Sequence, residues 1–139
     1  MQDPKRQIDH FFGTPIHVYT RSQAIEDGVL VDVTHAAHGA GFRIPVAMTA
    51  AAWADCVAWD ESDTQRQTQQ DQAGRLWDVV WMAIQAARRA GATQRIAFRL
   101  HRIPRDGCSV RPKLTSLHLH IGPGDDPSPV ITILMPDED

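Results

Sequence analysis

Along residues 72–90, apolar residues recur with the period of an amphipathic helix. Their arc covers more than half of the helix circumference, which predicts packing against more than one neighbouring element. The arc consists of Leu76, Trp77, Val79, Val80, Trp81, Ala83, Ile84 and Ala87. The remaining strip holds Arg75, Asp78, Gln85 and Arg89. Gly91 follows where glycine commonly ends a helix. We expect this helix to be the centre of the core.

Beyond this helix the pattern changes to the two-residue alternation of β-strands. The apolar, inward positions are Ile96, Phe98, Leu100, Leu117, Leu119, Ile121, Ile131 and Ile133. Residues 114–134 form two such strands around a Gly/Pro/Asp loop from Gly122 to Pro129. The pattern predicts a three-stranded antiparallel meander whose inner face packs on helices.

The N-terminal half contains shorter patterns of hydrophobic and polar residues, and these predict shorter elements. Strands are predicted over Ile16–Thr20 and Val29–Val33, with helical turns over Arg21–Asp27, ended by Gly28, and over His35–Gly41. Thr49 is a suitable N-cap for a helix from about Ala50 to Asp60. Residues 60–72 are polar and without periodicity, which favours an exposed connection or a frayed helical extension.

All four tryptophans lie in the two predicted main helices. Large aromatic residues at helical spacing are typical of a core, and we assign Trp53, Trp77 and Trp81 to it. Trp59, off the main apolar face at a helix end, is expected to be exposed. A stacking platform for a ligand is the alternative for this group.

These elements predict a single α+β domain over residues 1–139, with residues 1–12 as a flexible arm. Its fold consists of two main helices packed on an antiparallel sheet. The C-terminal three-stranded meander forms that sheet together with the N-terminal strands.

Composition narrows the class of protein. A chain of 139 residues with 42% hydrophobic and 22% charged residues is typical of a globular domain. A formal net charge of -3 argues against non-specific nucleic-acid binding. No segment approaches the roughly 18 apolar residues of a membrane span. Cys56 and Cys108 lack partners at metal-ligand spacing, which favours free thiols and a cytoplasmic location.

The densest group of candidate ligands is on the outer face of the meander. If its first two strands pair about a turn near Cys108, Arg99 lies opposite His118 and His101 opposite Ser116. His118 and His120 then share one face with Thr132. A metal ion held by these histidines and by His101, Asp125 or Asp126 is one interpretation. A solvated or partner-facing surface is the other, and we favour it.

The other candidate motifs also allow more than one interpretation. Asp125 and Asp126 fit paired carboxylates, but GPGDDPSP is first of all a turn sequence. No nucleophile elbow, Walker loop or GxGxxG motif occurs, and no cofactor is indicated.

Several blocks together resemble a family of small proteins of unknown function found in bacterial plasmids, phages and other mobile elements. The blocks are PIHVYTRSQAIEDGVLVDV, CVAW, GRLWDVVWM and GPGDD followed by PVITILMPDED. The resemblance extends from Phe11 to Asp139. It implies a mobile-element accessory protein with an α+β domain, and it transfers no catalytic residue. It implies a shared surface near His17, Trp77 and Asp125.

A second resemblance is to the opening of ADP-ribosyltransferase-type NAD-binding folds. It rests on IHVYT, a short helix, Gly-Val-Leu and then PVAMTAAAWADC. It implies that His17 and Tyr19 would bind the nucleotide. The chain lacks a recognisable catalytic glutamate block.

We therefore expect a non-enzymatic accessory or interaction module whose partner is a protein, with a homodimer as one form. Its candidate surface contains His17, Tyr19, Trp59, Arg99 and Asp126. The alternatives are a small enzyme or metal-binding protein that uses the outer-face histidines, and an NAD-binding protein. Whether the chain is an enzyme stays open, and we favour a protein that is not.

Overall fold

The computed structural model describes residues 18–91 and 93–139. In order along the chain, the helices and strands are α1 (Arg21–Glu26), β1 (Leu30–Asp32), α2 (Thr34–Ala40), β2 (Val46–Thr49), α3 (Ala50–Cys56), α4 (Glu61–Arg66), α5 (Gln72–Ala90), β3 (Arg95–Arg102), β4 (Lys113–Pro123) and β5 (Pro129–Leu134). The α+β class predicted from the sequence is confirmed.

The strands form one sheet in the order β1-β2-β5-β4-β3. The predicted antiparallel meander of β3, β4 and β5 is confirmed, and β1 pairs with β2 antiparallel. However, β2 pairs with β5 in parallel, so the prediction of an all-antiparallel sheet was wrong. Strand β2 carries no alternation, because Val46, Ala47 and Met48 are buried on both faces.

Helix α5 is confirmed with the predicted bounds. Asp71 caps its first turn by accepting a hydrogen bond from the Gly74 amide at 2.5 Å, and Gly91 ends it at φ 72°. Val79, Val80 and Ala83 are fully buried among the inner-face residues of the sheet. The helix is therefore the main cover of the inner face.

The predicted burial of the tryptophans was wrong at three of the four positions. Trp77 and Trp81 are 42% and 44% exposed, and Trp53 is half-buried. Trp59, expected at the surface, is 6% exposed. The elements that pack against α5 do not cover its whole apolar arc. Helix α2 is short, and the residue that it places against Trp77 is Gly39, which has no side chain.

Residues 60–72 contain a helix where an exposed connection or a frayed extension was expected. Asp60 and Asp63 form a reciprocal capping box at the start of α4. Asp63 is buried and accepts a hydrogen bond from Arg105 Nε at 2.7 Å. Caps and ion pairs stabilise this helix, so its sequence shows no hydrophobic period from which it could be predicted.

Near the N-terminus the predictions were partly correct. The helical turn ending before Gly28 is confirmed, whereas the described part of the first predicted strand, residues 18–20, is irregular. Thr20 accepts a hydrogen bond from the Gln23 amide at 3.0 Å and is the N-cap of α1. Helix α3 ends at Cys56, earlier than the predicted Asp60. The prediction of two main helices was therefore wrong, because α5 is the one long helix among the described residues. No helix in residues 18–91 and 93–139 is long and apolar enough to cross a membrane.

Strand β4 offers a matched test of the two sheet faces. Leu119 is 0% exposed on the inner face, whereas Leu114 is 50% exposed on the outer face. We expect Leu119→Ala to lower the free energy of unfolding by about 2–5 kcal/mol, because it leaves a cavity in the core. Leu114→Ala should change it by less than about 0.5 kcal/mol. Urea denaturation measures both, and equal effects would contradict the assignment of the faces.

The buried Asp63 predicts a dependence of stability on pH. Burial would raise the pKa of its carboxyl, but hydrogen bonds from the Asp60 amide and Arg105 outweigh this and lower the pKa. The stabilisation is then complete above the ordinary carboxyl pKa of about 3.9 and lost as the pH falls through the lower folded-state value. Asp63→Asn should remove this part of the acid destabilisation.

Urea denaturation at a series of pH values below about 5 measures the effect. The control is Glu61→Gln, which removes an exposed carboxyl from the same helix and leaves the Asp63–Arg105 pair in place. An unfolding free energy that falls equally steeply in wild type and Asp63→Asn would show that Asp63 does not contribute.

Candidate functional site

Strand β3 is an edge of the sheet, because it pairs with β4 on one side only among the described residues. The Ile121 amide donates to the Gln94 carbonyl at 2.8 Å, which identifies residues 94 and 121 as a hydrogen-bonded pair. Such pairs alternate in an antiparallel ladder. The backbone groups of Ala97, Arg99 and His101 therefore point away from β4, towards the free edge.

A groove of about 560 Å³ lies between this edge and helix α5. We call it the edge groove. Its lining residues are Asp78, Trp81, Met82, Arg89, Arg99, Leu100, His101 and Leu114. Two guanidinium groups and one carboxylate give this lining an excess of positive charge. The groove thus joins apolar surface and cations to backbone groups that no strand of residues 18–91 and 93–139 pairs with.

The apolar wall of the edge groove continues onto an exposed aromatic pair. The rings of Trp77 and Trp81 stack with centroids 5.9 Å apart and planes 22° apart. Exposed large aromatic residues beside a groove are typical of binding surfaces. This part of α5 is therefore a candidate contact surface.

A smaller cavity of about 120 Å³ adjoins the groove, with Asp78, Leu100 and His101 lining both. We call it the inner cavity. Its other lining residues are Cys56, Gln70, Arg75, Arg102, Ile103 and Pro112. The two spaces together lead from the surface to a buried arginine.

Arg75 is 4% exposed and holds three separate segments. Its Nε donates to the Val57 carbonyl at 3.0 Å, and its Nη1 donates to Gln70 Oε1 at 2.7 Å and the Ile103 carbonyl at 2.9 Å. Its Nη2 is shielded from water and has no hydrogen-bond acceptor among the described residues. Burial lowers the pKa of this guanidinium.

The Trp59 ring packs against Arg75. The guanidinium carbon lies 4.6 Å from the centroid of the Trp59 ring, a cation–π contact. The indole Nε1 donates to Thr64 Oγ1 at 3.0 Å. Trp59, expected on the candidate surface, is therefore part of the buried support of Arg75.

The other polar groups that line the inner cavity are less available for binding a ligand. Arg102 pairs with Asp55 at 3.1 Å, and burial raises the pKa of the Cys56 thiol to about 12. This thiol is not a nucleophile near neutral pH. Both described cysteines are free, as predicted, with Cys56 buried and Cys108 exposed.

The predicted register between β3 and β4 was wrong by two positions. Arg99 lies opposite Ser116 rather than His118, and His101 lies opposite Leu114. The cause is the loop between the strands, which is held by Gln67, the residue that follows α4. Its Nε2 donates to the carbonyls of residues 104 and 109 at 2.7 and 2.6 Å.

The outer-face histidines are separated from His101 by this register. His118 Nδ1 instead accepts a hydrogen bond from Arg95 Nε at 2.8 Å, and Arg95 Nη2 donates to the Glu138 carbonyl at 2.8 Å. His120 is exposed. No group of three His, Cys, Asp or Glu residues suited to a metal ion occurs in the part of the chain that the structure describes.

The remaining predicted site residues lie elsewhere. Asp125 accepts hydrogen bonds from the amides of Arg21 and Ser22 at 2.6 and 3.1 Å, and so holds the start of α1. Asp126 accepts from the Ser128 amide at 2.8 Å, a turn contact. Tyr19 is exposed and donates to Asp27 at 2.7 Å. His17 lies outside the described residues.

Sequence reasoning missed the α5 residues of the site, and above all Arg75, which was placed on the solvent strip of that helix. A signal was present, because Arg75 shares one face at intervals of four, seven and eleven residues with Val79, Met82 and Ala86. A charged residue in an otherwise apolar row is a candidate for a buried, hydrogen-bonded group.

No curated protein and no solved structure matches the chain significantly. The profile of the family of unknown function DUF6573 matches residues 8–139. Because this match covers almost the whole chain, the protein belongs to the DUF6573 family.

Proposed function

We propose that this protein is a non-enzymatic binding module that takes up an extended segment of a partner protein along the free edge of β3. The observation that carries the proposal is the row of backbone groups at residues 97, 99 and 101 beside the edge groove, with which no described strand pairs. A peptide strand added there would hydrogen-bond to these groups. The sheet would gain a sixth strand.

The two faces of such a strand meet different surroundings, which define the chemistry of the partner. Side chains alternate between the faces of a sheet. Those on the inner side would meet Trp81 and Met82 of α5, and those on the outer side would meet Arg99 and His101. The partner segment is therefore one in which apolar residues alternate with Asp or Glu.

The charge of the edge also opposes self-pairing. Two copies joined antiparallel through β3 would bring Arg95 and Arg99 of one copy close to the same residues of the other. Like charges opposite each other destabilise a strand pair. The homodimer expected as one form of this protein is thus less favoured at this edge than a heterologous acidic strand.

Arginines on an edge strand also have a protective role, since they discourage aggregation. Protection alone does not account for the exposed Trp81 and Leu114, which line the same groove. Exposed apolar residues beside a free edge raise the risk of aggregation. A binding role explains the cations and the apolar residues together.

The biological setting is part of the proposal. The blocks at residues 15–33, 74–82 and 122–139 support an accessory role on a bacterial plasmid or phage. The two free thiols support a cytoplasmic location, where thiols stay reduced. A survey of the genes that flank family members tests the first point, and cell fractionation tests the second.

Binding of a designed peptide tests the edge directly. The probe is a capped ten-residue peptide of alternating Glu and Val, and the control peptide alternates Lys and Val. We expect saturable chemical-shift changes at the amides of Ala97, Arg99 and His101 with the first peptide only. Ala97→Pro should abolish binding, because it removes an amide that faces the free edge and none that pairs with β4.

A matched pair of charge reversals separates groove binding from general attraction. Arg99→Glu should weaken peptide binding by at least about tenfold, since it replaces attraction by repulsion. Arg111→Glu makes the same charge change in an exposed loop outside the groove and should leave the affinity within about twofold. Equal effects of the two variants would refute the proposal, as would binding of a single-stranded DNA oligonucleotide in place of the peptide.

A further inference from the structure

We infer that the inner cavity beneath the edge groove is a carboxylate-binding site whose ligand group is Arg75. This inference rests on the proposed function, because the carboxylate is assigned to an acidic side chain of the partner segment. It adds a buried anchor to a groove that otherwise offers backbone groups and surface contacts.

The first argument is that no anion accepts a hydrogen bond from Arg75 among the described residues. Its hydrogen-bond acceptors are two backbone carbonyls and one side-chain amide, and none of them is an anion. An arginine fork is suited to a carboxylate, and hydrogen bonds to an anion are stronger than those to neutral acceptors. An entering carboxylate would supply an anionic hydrogen-bond acceptor.

The second argument is the donor that is left over. Nη2 carries two N–H groups that no described residue accepts, and water does not reach them. Buried donors without an acceptor are rare in folded proteins. Because Nη2 is shielded, the cavity wall must shift slightly for an oxygen to reach it.

The third argument is the shape and position of the cavity. Its volume of about 120 Å³ exceeds the roughly 10–15 Å³ needed for one water molecule, so it has room for a carboxylate group. It shares Asp78, Leu100 and His101 with the edge groove. An acidic residue that replaces one inward-facing apolar residue of the bound strand can therefore place its carboxylate in the cavity.

Asp78 limits this binding and provides the sharpest test. It is the one carboxylate among the described residues that line the inner cavity, and its charge opposes that of an incoming anion. The side chain is exposed on α5, so its replacement leaves the core intact. Asp78→Asn should therefore tighten carboxylate binding at Arg75.

The experiment is an NMR titration of the full chain with sodium acetate, with sodium chloride at equal ionic strength as the control. We expect saturable shifts of the Arg75 Nε–H and Trp59 indole N–H resonances with acetate only. Asp78→Asn should lower the acetate dissociation constant at least about threefold. Arg75→Lys should abolish the shift of the Trp59 indole.

Arg75→Lys is informative only if the variant folds, which its amide spectrum will show. Asp78→Asn does not depend on that condition. Acetate shifts no larger than those caused by chloride, or an unchanged acetate affinity in Asp78→Asn, would overturn the inference.

The Glu/Val peptide identifies the source of the carboxylate. In a series with single Val→Glu replacements at the inward-facing positions, one peptide should add the shift at Trp59 to the shifts at Ala97 and Arg99. Edge shifts with no response of Trp59 to any peptide or to acetate would refute the inner site and leave the proposed function intact. Acetate binding without any peptide binding would refute the partner as source and the proposed function with it.

Discussion

The buried guanidinium of Arg75 is the contact on which the rest of this fold depends. It joins the end of α3, through the Val57 carbonyl, to the residue that follows β3, through the Ile103 carbonyl. The Trp59 ring covers it from one side. A helix terminus and a strand terminus are thus bound to one side chain of α5. Without it, both buried carbonyls would lose their donor, which is a costly change in a core.

A second polar cluster extends this connection to the surface. Asp63 of α4 receives Arg105, and Gln67 just after α4 holds both ends of the loop between β3 and β4. The loop determines which residues of the two strands face each other. The outer-face arrangement of Arg99 and His101 is therefore decided by polar contacts from a helix that is distant in the sequence.

This dependence explains what could be predicted from the sequence and what could not. Helix α5 and strands β3, β4 and β5 follow a hydrophobic period, and their types were correct, as were the inward residues of the three strands. On α5 the same period wrongly placed the exposed Trp77 and Trp81 in the core. Strand β2 and helix α4 have no such period, because one is buried on both faces and the other is held by caps. The strand register arises from tertiary hydrogen bonds, which leave little trace in local patterns. The burial of Arg75 also depends on such bonds, and its one local sign is the apolar row that it shares on α5.

The parallel pairing of β2 with β5 has a consequence for how the chain folds during synthesis. β2 is made at residues 46–49, but its partner comes only at residues 129–134. Until β5 leaves the ribosome, the β1–β2 pair and the β3–β4 pair cannot join into one sheet. Such distant pairing slows folding. The β1–β2 pair, complete at residue 49, therefore waits for β5 through most of the translation, whereas the β3–β4 pair, complete at residue 123, waits only briefly. Chaperones have access to the β1–β2 pair during this period.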